Sequence, residues 1–203
     1  AVLNFCKHLG RKGYHVTYLP VDSKGRLDLE SLVQAIDDNL AVVSVMYANN
    51  ETGVIFPIEK IGQILRERKV IFHTDAVQVV GKKPVNVKEL PVDMLTLSGH
   101  KIHAPKGIGA LYIRKGTRFH PYIIGGHQEG GRRAGTENVA FIIGLGKACE
   151  LAAKNLKKEV VYLNRLRDKL ESGLLNNCPD TSINGDRENR LPNTSNMSFE
   201  YIE

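Results

Sequence analysis

The feature that most constrains the fold is an alternation of two hydrophobic periods between residues 28 and 73. Leu29, Leu32, Val33 and Ile36 recur at i, i+3, i+4 and i+7, which predicts an amphipathic helix over residues 28–38. Ala41 to Tyr47 then forms a continuous apolar run rich in Val, the pattern of a strand buried in a parallel sheet. Ile58, Ile61, Ile64 and Leu65 mark a second helix over 57–68, with Pro57 at its first position. Val70 to His73 reads as another buried strand. Strands alternating with helices of this length build βαβ units, and βαβ units build parallel sheets. The expected class is therefore α/β with a mostly parallel central sheet.

The flanking segments extend this frame. Residues 1–10 carry apolar side chains at helical spacing, and Val16 to Leu19 reads as a strand closed by Pro20. Asp22-Ser23-Lys24-Gly25 is a turn. Met94–Leu97 and Gly109–Arg114 are strand-like runs joined by a short Gly- and Pro-containing connection with no helical pattern. The second of these is therefore expected to run antiparallel to the first. From 137 to 175 the helical pattern is unusually long, as in helices that bridge two domains. Near 150–160 Gly becomes scarce and Lys and Glu dense. The expected division places a large domain at 1–155, with the bridging helix and the start of a small domain at 156–203. Asn184 to Pro192 is turn-rich, and Asn196 to Tyr201 alternates as a strand. The chain opens on Ala inside a helical pattern and stops in a strand-like run. It is expected to be a piece of a longer protein.

Composition narrows the function classes. The 203 residues are 42% hydrophobic and 25% charged, ordinary for a soluble globular protein. No run approaches the roughly 18 apolar residues of a membrane span, and no signal-like segment opens the chain. No membrane partner is expected. The net charge is +6, but Lys and Arg are dispersed and not interleaved with aromatics, which argues against a nucleic-acid partner. Cys6, Cys149 and Cys178 are odd in number and widely spaced. They fit neither a disulfide framework nor a zinc site, so no metal is expected, and they point to a reducing, cytoplasmic location.

Polar residues that make little sense as packing cluster where the strands end. Ala48-Asn49-Asn50-Glu51-Thr52-Gly53 follows Ala41–Tyr47, and His73-Thr74-Asp75-Ala76-Val77-Gln78 follows Val70–Phe72. Ser98-Gly99-His100-Lys101 follows Met94–Leu97. Gly125-Gly126-His127-Gln128-Glu129 and Arg132-Arg133-Ala134-Gly135-Thr136-Glu137-Asn138 lead into the long helix. Ligands of open α/β sheets bind at the carboxyl ends of strands. A lysine placed there and stripped of water can lose its proton and act as a nucleophile towards carbonyl groups. Lys101 has that placement.

These motifs, in this order and together with Pro105-Lys106-Gly107-Ile108-Gly109-Ala110-Leu111-Tyr112, resemble the cysteine desulfurases of the NifS/IscS type, closest to the NifS branch. Those are class V aminotransferase-fold enzymes, of fold type I, that use pyridoxal 5′-phosphate. The resemblance runs from Ala1 to Glu203. It implies helices on both faces of the sheet and a smaller α+β domain beginning near the C-terminus. It further implies that Lys101 forms the Schiff base with the cofactor and moves protons at the substrate's α-carbon. Asp75 would pair with the pyridine nitrogen, and Ser98 and His100 would hold the phosphate. Gln78 and Asn50 would hydrogen-bond the phenolic oxygen, or Asn50 the incoming substrate. Thr136, expected at a helix start where free N–H groups favour anions, would reach the phosphate of the other subunit, so a homodimer is implied. His127, Arg132 and Arg133 belong to the same loop without an assigned role.

One departure is His103-Ala104-Pro105, where relatives often have Tyr-Gly-Pro. The family's nucleophilic Cys and substrate-carboxylate Arg would lie beyond Glu203, and its ring-stacking His before Ala1. The implied reaction converts L-cysteine to L-alanine, leaving a persulfide for iron–sulfur cluster assembly through an acceptor or scaffold protein. A selenocysteine lyase or other class V lyase is the alternative within the family. A non-catalytic relative acting as a binding partner is the alternative outside enzymology.

Overall fold

The computed structural model describes residues 2–201; Ala1, Ile202 and Glu203 lie outside it. The chain runs α1 (Val2–Arg11), α2 (Leu29–Gln34), β1 (Val42–Met46), α3 (Ile58–Glu67), β2 (Ile71–Asp75) and β3 (Met94–Ser98). A short 3-10 turn (Gly99–Ile102) leads to β4 (Gly109–Ile113). There follow one irregular helical turn, α4 (Gln128–Gly131), the long α5 (Val139–Asn177), β5 (Thr181–Ile183) and β6 (Met197–Phe199).

The central sheet has the order β1-β2-β3-β4. β1, β2 and β3 are mutually parallel and β4 is antiparallel to β3. The α/β class, the mostly parallel sheet and the antiparallel turn-back at Gly109 are all borne out. Phe72 and Thr74 of β2 point to one face, where Ile58, Ile61 and Leu65 of α3 close over them. The buried Thr74 hydroxyl is satisfied by the Val45 carbonyl at 2.9 Å, as a buried polar group must be. Tyr47 is buried at the end of β1, and its hydroxyl donates to Glu59 of α3 at 2.9 Å.

Two expectations need correction. Val16–Leu19 forms no strand. Apolar alternation makes a strand only where a neighbouring backbone takes its hydrogen bonds, and among the described residues none pairs with this stretch. The nearest ladder contact is the isolated Val21–Leu27 bridge, which flanks the Asp22–Gly25 turn. The run at 41–47 is a parallel strand but not a fully buried one, since β1 alternates between exposed and half-buried positions. It lies at the edge of the described sheet and is covered on the α3 side only. Smaller shifts are local: Pro57 caps α3 instead of starting it, and α2 stops at Gln34.

α5 is 39 residues long, about 58 Å at the helical rise. Ala148 packs against Ile102 and Ala104 beside the 3-10 turn. Beyond Asn177, β5 and β6 pair antiparallel, and the segment between them folds back on the large sheet. Arg190 bridges Val54, and Leu191 joins the main core. No helix among the described residues is long and apolar enough to cross a membrane.

Candidate functional site

Because β1, β2 and β3 are parallel, their carboxyl ends share one edge of the sheet. The register aligns Met46 with Asp75 and Asp75 with Thr96, so the residues following these positions emerge together. Each is held by a buried neighbour. After β1, Tyr47 and Ala48 are buried and Asn50 is exposed at the tip of the next turn. That turn is closed by Asn49, whose Oδ1 accepts from the Glu51 and Thr52 backbone N–H groups, both at 2.9 Å. Asp75 is the last residue of β2, not a residue beyond it as the sequence suggests, and it and Gln78 are half-buried beside buried Ala76 and Val79.

After β3, Gly99 begins the 3-10 turn. A Cβ there would lie 2.9 Å from Ile108 and 3.0 Å from Ala104, so only glycine lets the two backbones pass. Ile102 is buried and pins the turn, while His100 and Lys101 face solvent. Ser98 Oγ and His100 Nδ1 are hydrogen-bonded at 2.7 Å. His103 closes the turn in the left-handed region at φ 66 and is exposed. Ala104 has no positive φ and is buried without backbone cost.

The Asp75 carboxylate accepts one hydrogen bond, from the Val77 N–H to Oδ1 at 2.9 Å. Its second oxygen accepts none among the described residues, which leaves a half-buried acceptor for a protonated ligand nitrogen. Lys101 forms no ion pair among the described residues. Ser98, His100 and Lys101 supply hydroxyl, imidazole and amine donors of the kind that bind a phosphate or capture a carbonyl carbon. This donor and acceptor set fits pyridoxal phosphate.

The structure brings Asn50, Asp75, Gln78, Ser98, His100 and Lys101 to one sheet edge. Thr136 stands elsewhere, exposed on the connection before α5. It is not at the helix start: Asn138 is the N-cap, accepting from the Phe141 N–H at 3.2 Å, and Thr136 precedes it by two positions. In the same connection His127 and Arg132 are exposed, and Arg133 pairs with Glu129 at 2.7 Å while donating to the Gly135 carbonyl.

Two roles escape sequence reasoning, one of them that of His73, which the strand-end motif names without a function. His73 bonds Ser44 through Nδ1 at 2.8 Å and Thr96 through Nε2 at 3.3 Å, linking three strands. Burial holds its imidazole below the ordinary range, against the pull of Asp75. Its one sequence signal is an ionisable residue at a buried strand position. The other is a buried ion pair: Glu171 Oε1 accepts from Arg190 at 2.6 Å and from Ser195 at 2.8 Å, and Oε2 accepts from Arg190 at 2.5 Å. Nothing in the helical pattern separates Glu171 from the solvated charges around it.

The sequence model of the family described as Aminotransferase class-V matches residues 1–203. The chain is 60% identical over its full length to a cysteine desulfurase of Nostoc sp., of which it covers 51%. It is 57% identical to the cysteine desulfurase NifS of Azotobacter vinelandii, covering 50% of that protein. A solved structure of a NifS-like protein superposes with a TM-score of 0.95 at 43% identity, over 99% of this chain and 55% of that one. The chain thus spans about half the length of the curated relatives it matches. The resemblance read from the strand-end motifs is borne out over the whole sequence, and the fold agrees with it: the chain belongs to the class-V aminotransferase family.

Proposed function

We propose that the protein to which this chain belongs is a pyridoxal phosphate-dependent cysteine desulfurase of the NifS type, and that the carboxyl edge of the sheet is its cofactor site. The observation that carries this reading is the convergence of Asp75, Ser98, His100 and Lys101 on that edge, with one Asp75 oxygen unpartnered among the described residues. Pyridoxal phosphate supplies an electron sink for negative charge at a substrate carbon. Asp75 would accept the pyridine N–H and keep that nitrogen protonated. Ser98 and His100 would bind the phosphate, and Gln78 and Asn50 the phenolic oxygen, or Asn50 the substrate. Lys101 would hold the cofactor through Nζ and move the proton at the substrate's α-carbon. Thr136 of one protomer would reach the phosphate bound by the other, making a homodimer the working unit.

The sulfur step requires a thiolate that attacks the cysteine sulfur. The carbon–sulfur bond breaks, a sulfur–sulfur bond forms, and the carbon skeleton takes a proton to leave as L-alanine. Cys149 is packed with the cluster at Ile102 and Ala104, and Cys178 caps α5. Cys6 lies on α1, and by the family resemblance none of the three stands in the nucleophile's context; the persulfide would form on a cysteine of the family's second domain. An acceptor or scaffold for iron–sulfur clusters would take the sulfur, in a cytoplasmic setting that suits three free cysteines. Residues 1–155 would form the cofactor domain, and 156–203 the bridge and start of a small domain.

The test is visible absorption of the full-length protein supplied with pyridoxal phosphate, together with L-alanine released from L-cysteine. A band present in the wild type and absent from Lys101→Ala is expected. No such band, or one that survives the substitution, overturns the reading.

A further inference from the structure

Glu171 is the one buried carboxylate on α5, and no step of the proposed chemistry uses it. Its partners trace a path to the site. Arg190, which grips it with both terminal nitrogens, lies in a segment that runs alongside the Asn49–Val54 turn. The Ile55 N–H donates to the Asn189 carbonyl at 2.8 Å, and the Leu191 N–H donates to the Gly53 carbonyl at 2.9 Å. Asn196 Nδ2 donates to the Glu51 carbonyl at 3.3 Å, one position from Asn50. Arg167, a turn before Glu171 on the same helix, donates to the Leu191 carbonyl at 3.0 Å. Gly53 has φ 74, and a Cβ on it would lie 2.7 Å from Thr194. The turn that carries Asn50 is therefore held from outside by the returning segment, and that segment is held by Glu171.

We propose that Glu171, Arg190 and Asn196 are positioning residues for Asn50, fixing the tip of its turn through the segment Asn189–Asn196. The proposal rests on the reading of Asn50 as a cofactor or substrate ligand. A buried carboxylate gripped by two parallel N–H···O bonds is held in one geometry, here by the two terminal nitrogens of Arg190, whose Nε has no partner among the described residues. A small displacement of a ligand-contacting group is enough to lower catalysis.

The experiment uses the full-length protein in two arms. In the first, hydrogen exchange of the Glu51–Ile55 amides is followed without cofactor in wild type, Glu171→Gln and Asn196→Ala. Faster exchange in both variants is expected, and unchanged exchange in both overturns the proposal. In the second, kcat/KM for L-cysteine is measured for Glu171→Gln with Asn50 present and in an Asn50→Ala background. A loss of about tenfold to a hundredfold is expected with Asn50 present, and little further loss without it. Equal losses in the two backgrounds assign Glu171 a general structural role and overturn the proposal. If Asn50→Ala alone leaves kcat/KM unchanged, the functional reading of Asn50 falls, and the exchange arm alone decides whether the turn is held as described. Asn196→Ala leaves the ion pair intact and serves both arms if Glu171→Gln does not fold.

Discussion

Replacing Arg190 with Met removes both guanidinium donors from Glu171 and leaves the Ser195 hydroxyl as its remaining hydrogen-bond partner. The carboxylate stays behind in a site where its side chain is 4% exposed. Met keeps most of the aliphatic stem, so the change is chiefly one of charge. Removing one partner of a buried ion pair costs about 3–5 kcal/mol, a large part of the roughly 5–15 kcal/mol that keeps a domain folded. The effect carries a pH signature. In the wild type, burial pushes Glu171 up, but the hydrogen bonds from Arg190 and Ser195 and the nearby charges outweigh it, and the carboxyl lies below its ordinary range. That stabilisation is present above the ordinary carboxyl value of about 4.3 and is lost as pH falls through the lower folded value. In Arg190→Met the Arg190 share of that counterweight is gone, only Ser195 and the charge of Arg167 oppose burial, and the folded value moves up from its wild-type position. Relative to the wild type, the variant then regains stability as pH falls and Glu171 takes up a proton. Urea unfolding of the full-length proteins should give a difference of about 3–5 kcal/mol at pH 7, shrinking towards pH 5. A difference below about 1 kcal/mol, the size of an exposed pair, or one that grows on acidification, refutes the reasoning.

Asp75→Asn removes the acceptor proposed for the pyridine nitrogen while keeping the Val77 N–H bond possible. It is expected to lower L-alanine formation by about a hundredfold or more, with the fold retained by circular dichroism; full activity would remove Asp75 from the site. Leu191→Ala empties a fully buried position of the main core and is expected to cost about 2–5 kcal/mol. Denaturant unfolding checks it, and a loss below 1 kcal/mol would mean that the returning segment is not docked as described.

The parts of the fold set by local pattern were legible in the sequence. Ile58, Ile61 and Leu65 announce α3 because helical spacing puts them on one face, and the apolar run ending at His73 announces β2. The reversal at β4 followed from a connection too short for a crossover helix. The Val16–Leu19 strand failed because alternation reports a half-buried surface but says nothing of the backbone that must pair with it. The exposure of β1 was hidden for the same reason, since a strand's neighbours are not written in its own residues. At the candidate site, the placement of Asn50 and Lys101 beyond strand ends was legible; Asp75 and Ser98 proved to be the last residues of β2 and β3 instead of residues beyond them, and Thr136 was set too close to the helix start. Glu171 could not be singled out. Its partners Arg190 and Ser195 are remote in sequence, and only the folded chain shows which of the many charges of α5 turns inward.

The returning segment also has a cost in chain entropy. The Asn196–Glu51 bond joins residues 145 positions apart, whereas the Thr74–Val45 and Thr96–His73 bonds within the sheet join residues 29 and 23 positions apart. For a flexible chain, closing the longest of these loops in place of the 29-residue one costs about 1.4 kcal/mol more. A preformed sheet and a preformed α5 shorten the free path and remove much of that penalty. Contact between the tail and the Asn50 turn is thus favourable chiefly once the sheet and the helix exist. The segment that reaches furthest back along the chain is also the one anchored by a buried, doubly hydrogen-bonded charge pair, which offsets the entropy of so distant a closure.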